Sequence, residues 1–341
     1  MRKEVILITG ANGEIGHGLI KELSKKDGIQ IVALDLKPLD ESLEACCDRF
    51  IQGDILDSML LGRLMAEYDI TTIYHLASIL STKAEYNPET AHKINVEGTL
   101  NLLRMGVELS TWQGNSVKFI YPSSIAVYGI PDLETKHKES KIKEWMWCNP
   151  ITMYGCNKLY CENLGQYYTR HYRQLAKDRS KHSIDFRCIR FPGLISADTI
   201  PTGGTSDYGP EMLHSAAKGE QYTCFVRSDT QIPFMVMPDA IKSLLMLEDA
   251  SCDTLTRSVY NVTSFSPTAQ DLYKIVKEAY PSADITFEVN PPRQAIVDSW
   301  PEDCDDSAAR NDWNWQPDYD MQKAFDDYLF PSIKELYQKT D

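Results

Sequence analysis

The sequence predicts an α/β fold: a doubly wound parallel sheet with a smaller lobe built from the second half of the chain. Three observations carry this expectation. Through the first half, short runs of branched and aromatic residues alternate with helix-compatible stretches. A glycine-rich turn, "ITGANGEIG", joins the first such run to the first helix. After Pro192 the alternation gives way to loop-rich sequence with separated helices. The expected division is a larger domain over residues 1–191 and a lobe over residues 192–341, with some segments returning to the larger domain.

The runs "EVILIT", "QIVALD", "TTIYHLA" and "VKFIYPS" are compact and almost wholly apolar, as strands buried on both faces must be. Helices are predicted between them, notably over Ile15–Lys26, Ser58–Tyr68 and Pro88–Leu109. Strand, helix and strand in succession imply right-handed crossovers in one parallel sheet. A long helix over Ile151–Arg173 precedes a further strand, "DFRCIRF" (Asp185–Phe191). Beyond Pro192, "SADTIPTGGTSDYG" reads as loop, while "PEMLHSAAKG" and "SPTAQDLYKIVKEAY" read as helices. The polar tail Asp298–Asp320 contains three tryptophans able to anchor it.

Composition narrows the partners. A net charge of -14 over 341 residues, with a pI of about 5.0, disfavours nucleic acid and anionic membranes. The apolar run in "MRKEVILITG" is too short for a signal-peptide core or a membrane span. Nine scattered cysteines without any C-x-x-C pair read as reduced thiols, neither a disulfide framework nor a zinc site. An intracellular, cytoplasmic protein without metal, acting on a small molecule, is the expectation.

In "ITGANGEIG", Gly10, Gly13 and Gly16 allow a tight turn and close approach of backbone to a pyrophosphate seated on the helix N-terminus, with Asn12 in the same turn. Asp35 ends the second strand in "VALDLK". An acid there accepts from both ribose hydroxyls of NAD and repels the extra phosphate of NADP. A second constellation lies in "ITMYGCNKLYCEN", where Tyr154 stands four residues before Lys158. That step puts both side chains on one helix face. A phenol titrates near pH ~10 and is a poor base at neutral pH unless a fixed cation lowers it. The bland alternative is an amphipathic helix on which the two residues meet by chance.

The Gly-x-x-Gly-x-x-Gly spacing together with Tyr154 and Lys158 resembles the extended short-chain dehydrogenase/reductase superfamily, whose fold is of Rossmann type. "GDI" (Gly53–Ile55), "HLAS" (His75–Ser78), "NVEGTLNLL" from Asn95, "YPSSIAVYG" (Tyr121–Gly129) and "RFPGLIS" also match. The resemblance implies that Asp54 and Ile55 flank adenine, that Leu76, Ala77 and Asn95 line the cofactor cleft, and that Pro192 and Leu194 border nicotinamide. It further implies Tyr154 as general base, Lys158 as the cation that lowers the phenol and holds the nicotinamide ribose, and Ser124 as the hydroxyl that orients the reacting oxygen. Ser123 is its neighbour and rival. His75 is read as a core histidine at a strand end.

Residues Pro201–Ile241 and Pro291–Asp320 resemble, within that superfamily, the short-chain type of L-threonine 3-dehydrogenases. Sugar-nucleotide epimerases place an arginine for a diphosphate where this chain has Gln231, Ile232 and Pro233. The resemblance implies NAD as cofactor, L-threonine as substrate, 2-amino-3-oxobutyrate as product and a homodimer. It puts Thr205, Ser206 and Asp207 beside the substrate with Ser81, in addition to Ser124 and Tyr154. Asp207 has a second reading, as N-cap of the following helix. Two departures from the family stand out: Thr205-Ser206-Asp207 replaces T-T-D, and Asp312-Trp313-Asn314-Trp315 replaces D-W-G-W. A nucleotide-sugar epimerase or reductase and a non-catalytic NAD-sensing protein remain as alternatives.

Overall fold

The structure, a computed structural model, describes residues 4–178, 182–197, 199–201 and 203–338. Seven strands form one sheet: β1 (Glu4–Thr9), β2 (Ile29–Asp35), β3 (Arg49–Gln52), β4 (Ile70–His75), β5 (Lys118–Ser124), β6 (Asp185–Phe191) and β7 (Val259–Asn261), in the order β7-β6-β5-β4-β1-β2-β3. The pairings β1–β2, β2–β3, β1–β4 and β4–β5 are parallel. From β1 the chain winds outward through β2 and β3, then restarts on the other side at β4. A crevice opens outside the carboxyl ends of strands where the order reverses in this way. The expected doubly wound sheet is therefore present.

Two of the strands escape the sequence reading. β3 has four residues and only one buried side chain, Ile51, as suits the end strand of the order, and β7 has three. Neither is long enough to declare a pattern. The helix expected over Pro88–Leu109 is also not uniform: α2 (Pro88–His92) is followed by a π turn over Lys93–Glu97 and then by α3 (Gly98–Gln113). Such a turn inserts one extra residue and re-aims the side chains beside it.

The chain divides into two compact units, each drawn from three segments: Met1–Ser123, Cys156–Ile189 and Leu244–Val259 in the first, Ser124–Gly155, Arg190–Ser243 and Tyr260–Asp341 in the second. This differs from a border at 191/192 chiefly in assigning Ser124–Gly155 to the second unit. Long-range bonds explain the difference. Tyr128 donates to Asn261 Oδ1 at 2.7 Å and accepts from Arg190 at 3.0 Å, and the Ile130 amide donates to the Ser299 carbonyl at 2.8 Å. Conversely, Leu244–Val259 is held in the first unit by Arg187, whose guanidinium donates to the carbonyls of Leu247, Glu248 and Ala250.

Leu7, Val32, Leu34, Ile73, Phe119 and Phe186 make the first unit's core, so the apolar runs do face inward. The helix carrying Tyr154 and Lys158, α4 (Met153–Arg170), lies close to β6. A side chain at Gly165 would collide with the Phe186 ring, so only glycine permits this spacing. In the second unit Tyr208 packs edge-on against Phe225 and Phe234. Trp300, Trp313 and Trp315 are all buried, which makes the tail an integral part of that unit. No helix among the described residues is long and apolar enough to cross a membrane.

Candidate active site

The glycine turn forms as its sequence demands. Gly10 has φ +71, and a Cβ there would strike the backbone of Leu76 and Ala77. Those two residues follow β4, so the turn after β1 and the loop after β4 meet at the point where the strand order reverses. Gly13 is the N-cap of α1 (Glu14–Leu23) and supplies no side-chain cap, while Gly16 packs on the Ala11 carbonyl. The first amides of α1 thus lack a side-chain acceptor from the cap position, as an anion site requires. Asp35 accepts from the Asn12 amide and from the Lys37 amide, both at 2.9 Å, which fixes its carboxylate at the end of β2.

The remaining residues assigned to this half divide by role. Asp54 accepts from the Leu56 amide at 2.9 Å. Ile55 is buried against Gly98, and its carbonyl accepts from Asn101, so its side chain belongs to the core. Asn95 sits in the π turn and is also buried. Its amide group accepts from the Ile79 amide at 2.7 Å and donates to the Ile79 carbonyl at 3.0 Å and to Asn157 at 3.4 Å. It therefore secures the loop that bears Leu76 and Ala77. His75 is buried with its ring nitrogens 2.8 and 2.9 Å from the hydroxyls of Thr9 and Thr99, and burial, aided by Lys158, pushes it down to about 3. It is a neutral core histidine, as its strand-end position suggests.

Lys158 is buried on α4. Its ammonium donates to the Pro122 carbonyl at 2.6 Å and lies 4.5 Å from the centre of the Tyr121 ring. Burial pulls it down to about 8. Tyr154, one turn earlier, is half-buried, and burial pushes its phenol above its ordinary value. This direction is opposite to the lowering expected from Lys158, because removal from water penalises the phenolate. Ser124 ends β5, and its hydroxyl accepts from the Ala126 amide at 3.2 Å. Its rival Ser123 is engaged elsewhere: its hydroxyl donates to Glu162 Oε1 at 2.5 Å, with both groups buried. Ser124 is the one of the two left half-buried.

In the second unit, Gly193–Ile195 pairs in parallel with Phe234–Val236, and Pro192 leads into it. A Cβ at Gly193 would lie 3.4 Å from Ser206 Cβ, so Ser206 adjoins the Pro192–Leu194 segment. Thr205 is buried. Asp207 occupies the N-cap position of α5 (Tyr208–Lys218), but its side chain does not cap; it turns back to accept from the Gly204 amide at 2.6 Å. Gln231 donates to the Ser266 carbonyl at 2.8 Å and Ile232 is buried, so this segment supplies no cation. Ser81 begins the helix Ser81–Tyr86 in the first unit.

Sequence reasoning missed three contributors. Glu162 repeats the four-residue step of Tyr154 and Lys158, a signal that was available. Asn157, beside Lys158, gave none. Arg293 donates to the Gly204 carbonyl at 2.7 Å and stacks on Phe225, 3.2 Å from the ring centre. It stands 89 residues from Gly204 in sequence, beyond the reach of any local pattern.

Residues 6–263 match the family described as the NAD dependent epimerase/dehydratase family. The chain belongs to that family. The mitochondrial L-threonine 3-dehydrogenase of Bos taurus is 34% identical over 317 residues, 93% of this chain and 79% of that protein. The L-threonine dehydrogenase structure from Clostridium difficile superposes with a TM-score of 0.84 at 34% identity, covering 98% and 99% of the two chains. A monomeric L-threonine 3-dehydrogenase from a metagenome gives 0.83 at 35% identity, over 98% and 100%. The cofactor of this family member is NAD, and the Gly10 cradle, the uncapped start of α1 and the fixed Asp35 carboxylate fit it.

Proposed function

We propose that the protein oxidises L-threonine to 2-amino-3-oxobutyrate with NAD. The observation that carries this reading is the likeness, along nearly the whole chain, to proteins that bear that activity in their names. The segment Gln231–Pro233, which offers no cation to a diphosphate, supports it. The first unit is assigned to NAD, through Gly10, Asn12, Gly13, Gly16, Asp35, Asp54 and the Leu76–Ala77 loop. The second is assigned to substrate, through Thr205, Ser206 and Asp207 together with Ser124 and Tyr154.

When bound, NAD supplies a hydride acceptor. The residues handle the rest. Ser124 donates a hydrogen bond to the substrate oxygen, and Tyr154 accepts the hydroxyl proton as the carbon becomes a ketone. Since burial alone disfavours the phenolate, Lys158 is required as a protonated neighbour to favour it. Asp207 accepts from the substrate ammonium, and hydroxyls of Thr205 and Ser206 donate to its carboxylate.

The test is formation of NADH from L-threonine, read at its absorbance band, against a panel of L-serine, 3-hydroxy acids and UDP-sugars with NAD or NADP. Threonine with NAD is expected to be the productive pair. Tyr154→Phe should lower kcat by roughly 10²–10⁴-fold. Full turnover by Tyr154→Phe would remove the assigned base, and turnover of UDP-sugars alone would move the substrate to another class. The homodimer implied by family resemblance would place the exposed Tyr160 and Tyr167 of α4 in its interface, and light scattering decides it.

A further inference from the structure

Two consecutive residues of β5 are tied to two residues one turn apart on α4. The Pro122 carbonyl accepts from the Lys158 ammonium at 2.6 Å, and the Ser123 hydroxyl donates to Glu162 at 2.5 Å. Both links are buried. The backbones they join continue directly into the reacting residues, because Ser124 follows Ser123 and Tyr154 precedes Lys158 by one turn.

The neighbours of Lys158 can be named element by element. Cys161 and Glu162 face it from its own helix, Cys188 from β6, His75 from β4 and the Tyr121 ring from β5. His75 is neutral in the working range, and burial raises the Cys161 thiol. Of these neighbours Glu162 alone is a carboxylate.

We propose that Glu162 is a positioning residue: through Ser123 it holds the end of β5 on α4, and its charge keeps Lys158 an ammonium. This rests on the reading of Tyr154 as base and Lys158 as its cation. A buried amine already drawn down to about 8 has little margin, so losing the Glu162 charge draws it lower and the cation is lost as pH rises toward that value.

Glu162→Gln keeps the shape and removes the charge; Ser123→Ala keeps the charge and removes the bond. In Glu162→Gln the alkaline limb of the kcat profile should move down by about one pH unit, roughly a tenfold loss on that limb, with KM for threonine and NADH affinity within about twofold. Ser123→Ala should lower kcat a few-fold at every pH and move the limb by about a third as much. The Lys158 titration, followed by NMR of ¹³Cε-lysine protein and assigned with Lys158→Arg, gives the same midpoint without any substrate. An unmoved midpoint in Glu162→Gln with NADH binding intact overturns the proposal. Should that variant not fold, an unmoved midpoint in Ser123→Ala does so. A moved midpoint in a protein that does not oxidise threonine leaves Glu162 in its role and sinks the substrate reading instead.

Discussion

The two units position their candidate residues by opposite routes. In the first, the turn, the acid and the loop that Gly10 touches all lie at strand ends. Gly10 follows β1, Asp35 ends β2, and Leu76 and Ala77 follow β4. In the second, Thr205–Asp207 is secured from a distance: Arg293 reaches the Gly204 carbonyl from α6 (Pro291–Asp298) while stacking on Phe225. A regular sheet can present a site from local sequence alone, because strand ends are neighbours by construction. A lobe without a continuous sheet must import side chains from remote segments to hold one loop still. The comparison therefore predicts separable failures, cofactor in the first unit and substrate in the second.

The largest effect is expected at Gly10. Gly10→Val would force a branched residue into φ +71 and drive its Cβ into the backbone of Leu76 and Ala77. Strain of roughly 2–3 kcal/mol or more corresponds to about a hundredfold weaker NADH binding. Fluorescence titration of NADH measures it, with circular dichroism as the folding control. A folded Gly10→Val protein that bound NADH normally would dissociate this crevice from the cofactor.

A smaller effect, on the other ligand, is expected at Arg293. Arg293→Ala removes a charge-assisted bond to the Gly204 carbonyl and the stack on Phe225. The loop amide that Asp207 accepts belongs to the same Gly204. KM for threonine should rise about tenfold, the scale of one hydrogen bond to a charged group, while NADH affinity stays level. Arg293→Lys should rescue only part of it, since an ammonium reproduces the charge but not the planar stack. An equal loss of NADH affinity in Arg293→Ala would break the division of labour between the units.

Legibility followed regular spacing. Gly10, Asp35, Tyr154 and Lys158 announced themselves because their spacing within or between regular elements is itself the pattern read for that chemistry. The resemblance prefers Ser124 to its neighbour Ser123, and what the letters do not show is that the Ser123 hydroxyl is committed to the buried Glu162. The Asp207 side chain had two readings from sequence, and helix capping is not the one adopted, because the Gly204 amide offers it a bond at 2.6 Å. The sign of the Tyr154 shift was illegible for a different reason: a helical step gives proximity to a cation, whereas burial depends on everything packed around the ring. Ile55 and Asn95 lie in matching motifs, yet their side chains are buried and committed to the scaffold.

The smallest effect tests the tail of the second unit. Asn314 follows the helix Ser307–Trp313 and adopts φ +57, the left-handed conformation, between two buried tryptophans. The related pattern has glycine there, and asparagine is the other residue that enters this region readily. The departure from D-W-G-W therefore leaves the turn intact. Asn314→Gly should change stability by only a few tenths of a kcal/mol, relief of the Cβ being offset by a more flexible unfolded chain. Asn314→Val should cost about 1–2 kcal/mol, because a branched Cβ crowds the carbonyl in this conformation. Thermal denaturation with and without NADH separates the cases. A large loss in Asn314→Gly would mean that the asparagine side chain, rather than its backbone, holds Trp313 and Trp315 in place.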